Sequence, residues 1–225
     1  MSQTTHGLGR LVNHDPRSRS FAAPAPATVR SVTWQHYGPW LDQGSVGSCT
    51  GHALAQALNC RPGHLPRTRY HTSVDAVRLY TAATAIDPFP GTYPGQDTGS
   101  DGNSVCKAAR AEGLIVAWQH AFGLDHMLRT LQPKEAGGAG GPVIVGTDWP
   151  ESFFETDRRG FVSIAGQWVG GHEWLVYGVN VRDRYLWAGQ SWGDWGALRG
   201  RFKVPFDVMD TLLRRDGDVI LPIAR

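Results

Sequence analysis

The stretch Asp42-Gln43-Gly44-Ser45-Val46-Gly47-Ser48-Cys49-Thr50-Gly51-His52-Ala53-Leu54 constrains this chain more than any other. It sets one cysteine directly after a glycine-rich turn and directly before a helix-like run, Ala53 to Leu58. A thiol at a helix N-terminus meets the positive end of the helix dipole and backbone N–H groups without intrahelical partners. That setting favours thiolate over thiol and makes the sulfur a nucleophile near neutral pH. Gln43, upstream in the same segment, carries an amide that can fold over the same spot and donate to an oxyanion.

A cysteine nucleophile needs a base. Gly170-Gly171-His172-Glu173-Trp174-Leu175-Val176-Tyr177-Gly178 offers one far downstream. Trp174, Val176 and Gly178 alternate with Leu175, Tyr177 and Val179, which reads as a buried strand. Glu173 is expected on the opposite face from His172, as a surface or ion-paired carboxylate. A third block follows: Trp187-Ala188-Gly189-Gln190-Ser191-Trp192-Gly193-Asp194-Trp195-Gly196.

These blocks together resemble the papain-like cysteine peptidases. That family reads Gln-Gly-x-x-Gly-Ser-Cys around its nucleophile, and Gln43, Gly44, Gly47, Ser48 and Cys49 match. The His172 block is similar to the family's histidine strand. The third block resembles Asn-Ser-Trp-Gly-x-x-Trp-Gly, with Gln190 where the family has its orienting asparagine. Thr50 stands where an aromatic residue is common, and Val46 where a half-cystine is common. These departures suggest a bacterial or phage-type branch. Weaker matches are Ser31-Val32-Thr33-Trp34, Asp97-Thr98-Gly99 followed by Val105 to Gly113, Gly141-Pro142-Val143, and Phe202-Lys203-Val204-Pro205. They carry the resemblance from residue 31 to residue 210.

The resemblance implies an α+β, two-lobed papain-like fold. Residues 31–136 would form a mainly helical lobe bearing the cysteine, and residues 137–225 an antiparallel, β-barrel-like lobe bearing the histidine. Residues 1–30 would precede them as an extended arm. It implies a peptidase acting on a peptide or protein substrate, with neither metal nor cofactor. Cys49 would attack the carbonyl, His172 shuttle the proton, Gln190 orient the ring, and Gln43 with the Cys49 N–H receive the oxyanion. Trp192 would shield the His172–Gln190 contact, and Gly171 suggests an open second pocket for the substrate. The alternative is a catalytically weak or inactive structural or binding component of a larger assembly, such as a phage particle. Gln190, Thr50 and the lack of a long inhibitory propeptide favour that alternative.

Composition narrows the partners. Net charge is +2, from 22 basic and 20 acidic residues, which gives no electrostatic case for nucleic acid or a membrane surface. The 3 cysteines cannot make a disulfide framework, and Cys60 and Cys106 are expected as buried reduced thiols. Residues 1–30 lack an apolar signal core and carry Arg10, Arg17, Arg19 and Arg30, so synthesis and residence in a cytoplasm are expected, or in a virion if phage-encoded. The Pro/Ala-rich Phe21 to Ala27 should be extended. The arm is expected as a loosely docked tail, available to a protein partner. Trp168, Trp174, Trp187, Trp192 and Trp195 lie around the base in sequence, and all but Trp192 are expected mainly to fill the second lobe's core.

Helices are expected over residues 50–59, 73–85, 104–112 and 125–131, and strands over 143–145, 160–164, 174–179, 185–188, 200–204 and 218–221. Gly137 to Gly141 reads as a flexible link between lobes. Three rival motifs fail on context. Gly189-Gln190-Ser191-Trp192-Gly193 fits a nucleophile elbow, but no histidine follows His172 and glycines replace the needed helix. Asp97-Thr98-Gly99-Ser100 lies in a loop sequence rather than between apolar strands. Cys49/His52 and Cys60/His64 have zinc-like spacing, yet one helix would hold the two cysteines about 16 Å apart. His52 is expected as a helix-face residue rather than a second base.

Overall fold

The computed structural model describes residues 6–63, 69–137 and 140–225. His64 of the zinc-like pair, and residues 138–139 of the glycine-rich link, lie outside them.

Three helices follow a 3-10 turn (Pro16–Phe21) and a two-residue strand. α1 (Cys49–Leu58) begins at the sulfur itself and is buried along its whole length. It is rich in alanine and glycine, so a neighbour can approach closely: a side chain on Gly51 would strike the Ala76 carbonyl of α2 (Ser73–Thr84). Thr72 and Asp75 cap α2 reciprocally, and Asp101 caps α3 (Gly102–Ala111) through the Ser104 N–H.

The remaining elements build one antiparallel sheet. Its strands are β1 (Val32–Thr33), β2 (Ile115–Ala121), β3 (Val143–Pro150), β4 (Trp168–Asn180), β5 (Tyr185–Gly189), β6 (Arg201–Pro205) and β7 (Asp218–Ala224). The order is β2-β7-β3-β4-β5-β6, and β1 pairs with β4. α4 (Gly123–Thr130) and α5 (Phe206–Arg214) complete the chain. The sheet is open, with β2 and β6 as edges, so the lobe is not the barrel-like one expected.

The middle strands are buried on both faces. On β4, Trp174, Val176 and Val179 enter one core, while Leu175 and Tyr177 enter the other. The second core holds α1 and α3 residues, including Ala53, Leu54, Leu58, Val105 and Cys106. Helix α1 therefore packs on the sheet, and its N-terminal sulfur lies beside β4.

Several expectations are corrected. Residues 160–164 form no strand: Phe161 makes only an isolated bridge to Lys203. β2 falls among the helices and α5 among the strands, so the simple order of helices then strands does not hold. Glu173 is fully buried rather than on the surface. The tryptophans need no correction: Trp174 lies in one core with Trp168 and Trp195 packed against it, Trp187 packs against the other, and Trp192 contacts the His172 ring. The described part of the arm, residues 6–30, is not loose. Ala22 bridges to His120 on β2, and Arg10 bridges to Ser100. All three cysteines are free and buried. Among the described residues, no helix is long and apolar enough to cross a membrane.

Candidate active site

The loop before α1 is held from three sides. The Gly47 N–H donates to Asp97 Oδ2 at 2.9 Å, and Tyr80 Oη donates to Asp97 Oδ1 at 2.6 Å. Gln43 N–H donates to the Ser191 carbonyl at 2.9 Å, and Ser191 Oγ donates to Gln43 Oε1 at 2.6 Å. The second bond fixes the Gln43 amide, so its Nε2 is the end turned toward the cleft.

His172 enters from β4, opposite Thr147 of β3. His172 Nε2 and Gln190 Oε1 lie 2.6 Å apart. Gln190 Oε1 also accepts the Ser191 N–H at 2.9 Å, which identifies it as the amide oxygen. An oxygen only accepts, so the neutral ring must carry its proton on Nε2. Nδ1 is left as the basic nitrogen, buried and without a hydrogen-bond partner among the described residues. The sulfur lies close by: the backbone of Glu173, the residue after His172, favours its thiolate, as do those of Gly9 and Thr50.

Aromatic rings close the site to water. Trp192 lies 5.0 Å from the His172 ring, and Trp149 lies 4.7 Å away, edge-on. Trp149 had no distinguishing mark in the sequence. His52 stands one turn along α1 from the sulfur, with Nδ1 held by the Ser48 carbonyl at 3.0 Å.

The cleft is occupied by the arm, which sequence reasoning did not foresee. His6 stacks on Trp192 with ring centroids 4.4 Å apart. Gly7 donates to the Gly44 carbonyl at 3.0 Å, and its own carbonyl accepts from Gln43 Nε2 at 3.1 Å. Gly9 and Arg10 N–H both reach the Gly171 carbonyl, at 3.1 and 3.0 Å. Across the cleft the Ser100 N–H donates to the Gly9 carbonyl, and Leu11 N–H to the Ser100 carbonyl, both at 2.8 Å. Two glycines permit this approach, since a side chain on Gly7 or Gly9 would strike the Val46 or Gly47 carbonyl. The pattern Gly7-Leu8-Gly9-Arg10 was the available sequence signal.

Burial decides the electrostatics. It pushes the Cys49 thiol up to about 12, against the three backbone groups that favour its thiolate. It pushes His172 down to about 3, outweighing the Gln190 hydrogen bond. Burial therefore favours the neutral forms of both groups, against the helix dipole and the backbone groups that favour the thiolate.

The fold is that of papain-like cysteine proteases. Xylellain, a cysteine protease from Xylella fastidiosa, matches over 100% of this chain and 98% of its own, with a TM-score of 0.72 and 16% identity. Digestive procathepsin L2 from the larval midgut of Tenebrio molitor matches over 99% of this chain and 81% of its own, with a TM-score of 0.59 and 16% identity. The Carica candamarcensis cysteine protease CMS1MS2 matches over 87% of this chain and 98% of its own, with a TM-score of 0.57 and 13% identity. No protein-family model matches the sequence, and no curated protein does.

Proposed function

We propose that this chain is a papain-like cysteine peptidase held latent by its own N-terminal arm. One observation carries the reading. Gln190 fixes the His172 tautomer so that the free basic nitrogen is the one left for the thiol. In a core without function, a buried unpartnered imidazole nitrogen is an uncompensated cost.

With the arm withdrawn, water re-enters and the cost of charging the pair falls. Cys49 Sγ passes its proton to His172 Nδ1 and attacks the substrate carbonyl carbon. The oxyanion is received by Gln43 Nε2 and the Cys49 N–H. His172 returns the proton to the leaving amine, giving a thioester that water hydrolyses. Gly7 rehearses part of this, since its carbonyl already sits on Gln43 Nε2. Val46 in the half-cystine's place, with three free thiols, fits a bacterial or phage-type branch.

The neutral, covered pair is what favours the second reading, a non-catalytic member of an assembly. Peptide hydrolysis decides between them. The full chain and its Gly9→Val variant are incubated with denatured casein, with Cys49→Ala chains as controls. Cys49-dependent cleavage, faster in Gly9→Val, is the expected result. Folded Gly9→Val chain with no Cys49-dependent cleavage would leave the second reading standing.

A further inference from the structure

The Arg10 side chain is 1% exposed and runs into a pocket walled by Glu173, the residue after His172. Its Nη2 donates to Asp218 Oδ1 and to the Asp216 carbonyl. Glu173 forms another wall, fully buried, with neither carboxylate oxygen hydrogen-bonded among the described residues. Arg10 Nε and Nη1 are also without hydrogen-bond partners among them. Two glycines make the room. A side chain on Gly146 would lie 2.6 Å from Asp218 Oδ1, 2.7 Å from Arg10 Nε and 2.7 Å from Glu173 Oε2. One on Gly102 would lie 3.0 Å from Glu173 Oε1 and 3.4 Å from Asp218 Oδ2. A guanidinium is thus enclosed by two carboxylates and a backbone carbonyl.

The pocket's place relative to the chemistry follows from the backbone. Gly9 and Arg10 both donate to the carbonyl of Gly171, the residue before His172, and Glu173, the residue after His172, walls the pocket. The Gly7 carbonyl lies on Gln43 Nε2, so a peptide lying in the same groove with its reacting carbonyl there can put a nearby side chain into this pocket.

Resting on the reading above, we propose that this pocket selects an arginine side chain near the reacting residue of the substrate, and that Arg10 is its internal occupant. Acceptors on several sides suit a planar fork of donors better than the point charge of lysine. An apolar side chain would leave the part-buried Asp218 without its counter-charge, and an acidic one would add repulsion. A site whose buried polar groups go unpaired discriminates strongly, so a preference for arginine over leucine of at least about a hundredfold is expected.

Binding tests the pocket separately from catalysis. The Cys49→Ala chain is prepared with Gly9→Val, which displaces the arm and leaves the pocket intact, and separately with Arg10→Ala. Near-UV circular dichroism verifies folding of each. Calorimetry compares acetyl-Ala-Arg-Gly-Ala-amide with its Leu, Lys and Glu counterparts. The arginine peptide should bind at least about tenfold tighter than the lysine peptide and about a hundredfold tighter than the leucine peptide, and Asp218→Ala should erase the difference. Equal binding of the arginine and leucine peptides, or no binding of any to either folded variant, overturns the proposal. Arginine-selective binding without Cys49-dependent cleavage by the Gly9→Val chain would instead overturn the peptidase reading and leave the pocket standing.

Discussion

Gln190 Oε1 holds His172 Nε2 at 2.6 Å while also accepting the Ser191 N–H at 2.9 Å, so one amide oxygen sets both the tautomer and the pose of the imidazole. The extra methylene relative to asparagine does not break the contact. Gln190 follows β5 directly, and its N–H donates to the Gly200 carbonyl at 2.8 Å, which anchors the longer stem. In the proposed mechanism Gln190 is a positioning residue. Gln190→Ala in the Gly9→Val chain should lower kcat by about a hundredfold with little change in KM, since proton transfer alone is affected. An equal rise in KM would give Gln190 a part in substrate binding instead.

Gly9 meets the Gly47 carbonyl so closely that no side chain fits. Overpacking of this kind costs about 1–3 kcal/mol, which here weakens arm docking rather than the core. Gly9→Val should therefore raise cleavage of an arginine-containing fluorogenic peptide by about tenfold or more. The melting temperature should fall only slightly. Unchanged turnover would show that the arm does not limit access.

His172 supplies a pH dependence. Its folded value is lowered from 6.5 to about 3 by burial. The unfolded or uncovered ring binds a proton that the covered ring refuses between those values, so the covered state loses stability as pH falls through this window. The parent chain should lose more melting temperature between pH 7 and pH 4 than His172→Gln does. Parallel curves for the two would remove His172 as the source.

Glu173 acts in the opposite sense. Burial, with Asp218 nearby, raises its carboxyl well above 4.5 against the pull of Arg10. Stability from its protonated form is complete below 4.5 and is lost as pH rises. Glu173→Gln keeps the shape without the charge. Its advantage in melting temperature over the parent should be near zero at pH 4 and grow toward pH 8. An advantage that shrinks with rising pH would mean that Arg10 fully compensates the carboxylate.

The central strands and the helix behind the sulfur were legible because their patterns are local. The turn into α1 and the two-faced apolar run of β4 both appear in the chain as contiguous signals. The site residues Cys49, His172, Gln190, Gln43, Gly171 and Trp192 were named from motifs, and the structure brings their groups to one cleft. α5 was hidden because Phe206 follows β6 without a loop, so a strand signal runs straight into a helix. β2 was hidden because Ile115–Ala121 mixes exposed and buried positions without strict alternation. Glu173 was misplaced because period-two alternation names an opposite face without saying whether that face meets water. Here α3 and β7 cover it. The arm was misread for the same reason. Gly7-Leu8-Gly9-Arg10 has no periodicity, and its meaning lies in what it docks against.

Alkylation of Cys49 by iodoacetamide from about pH 4 to pH 9, followed by mass mapping of the modified peptide, tests the central claim most directly. The parent chain should react slowly throughout, because the sulfur is buried and neutral. The Gly9→Val chain should react fast down to acidic pH, and His172→Ala in that background should abolish the acid-side rate. A plain thiol titration in the Gly9→Val chain, unmoved by the loss of His172, would contradict a latent thiolate–imidazolium pair.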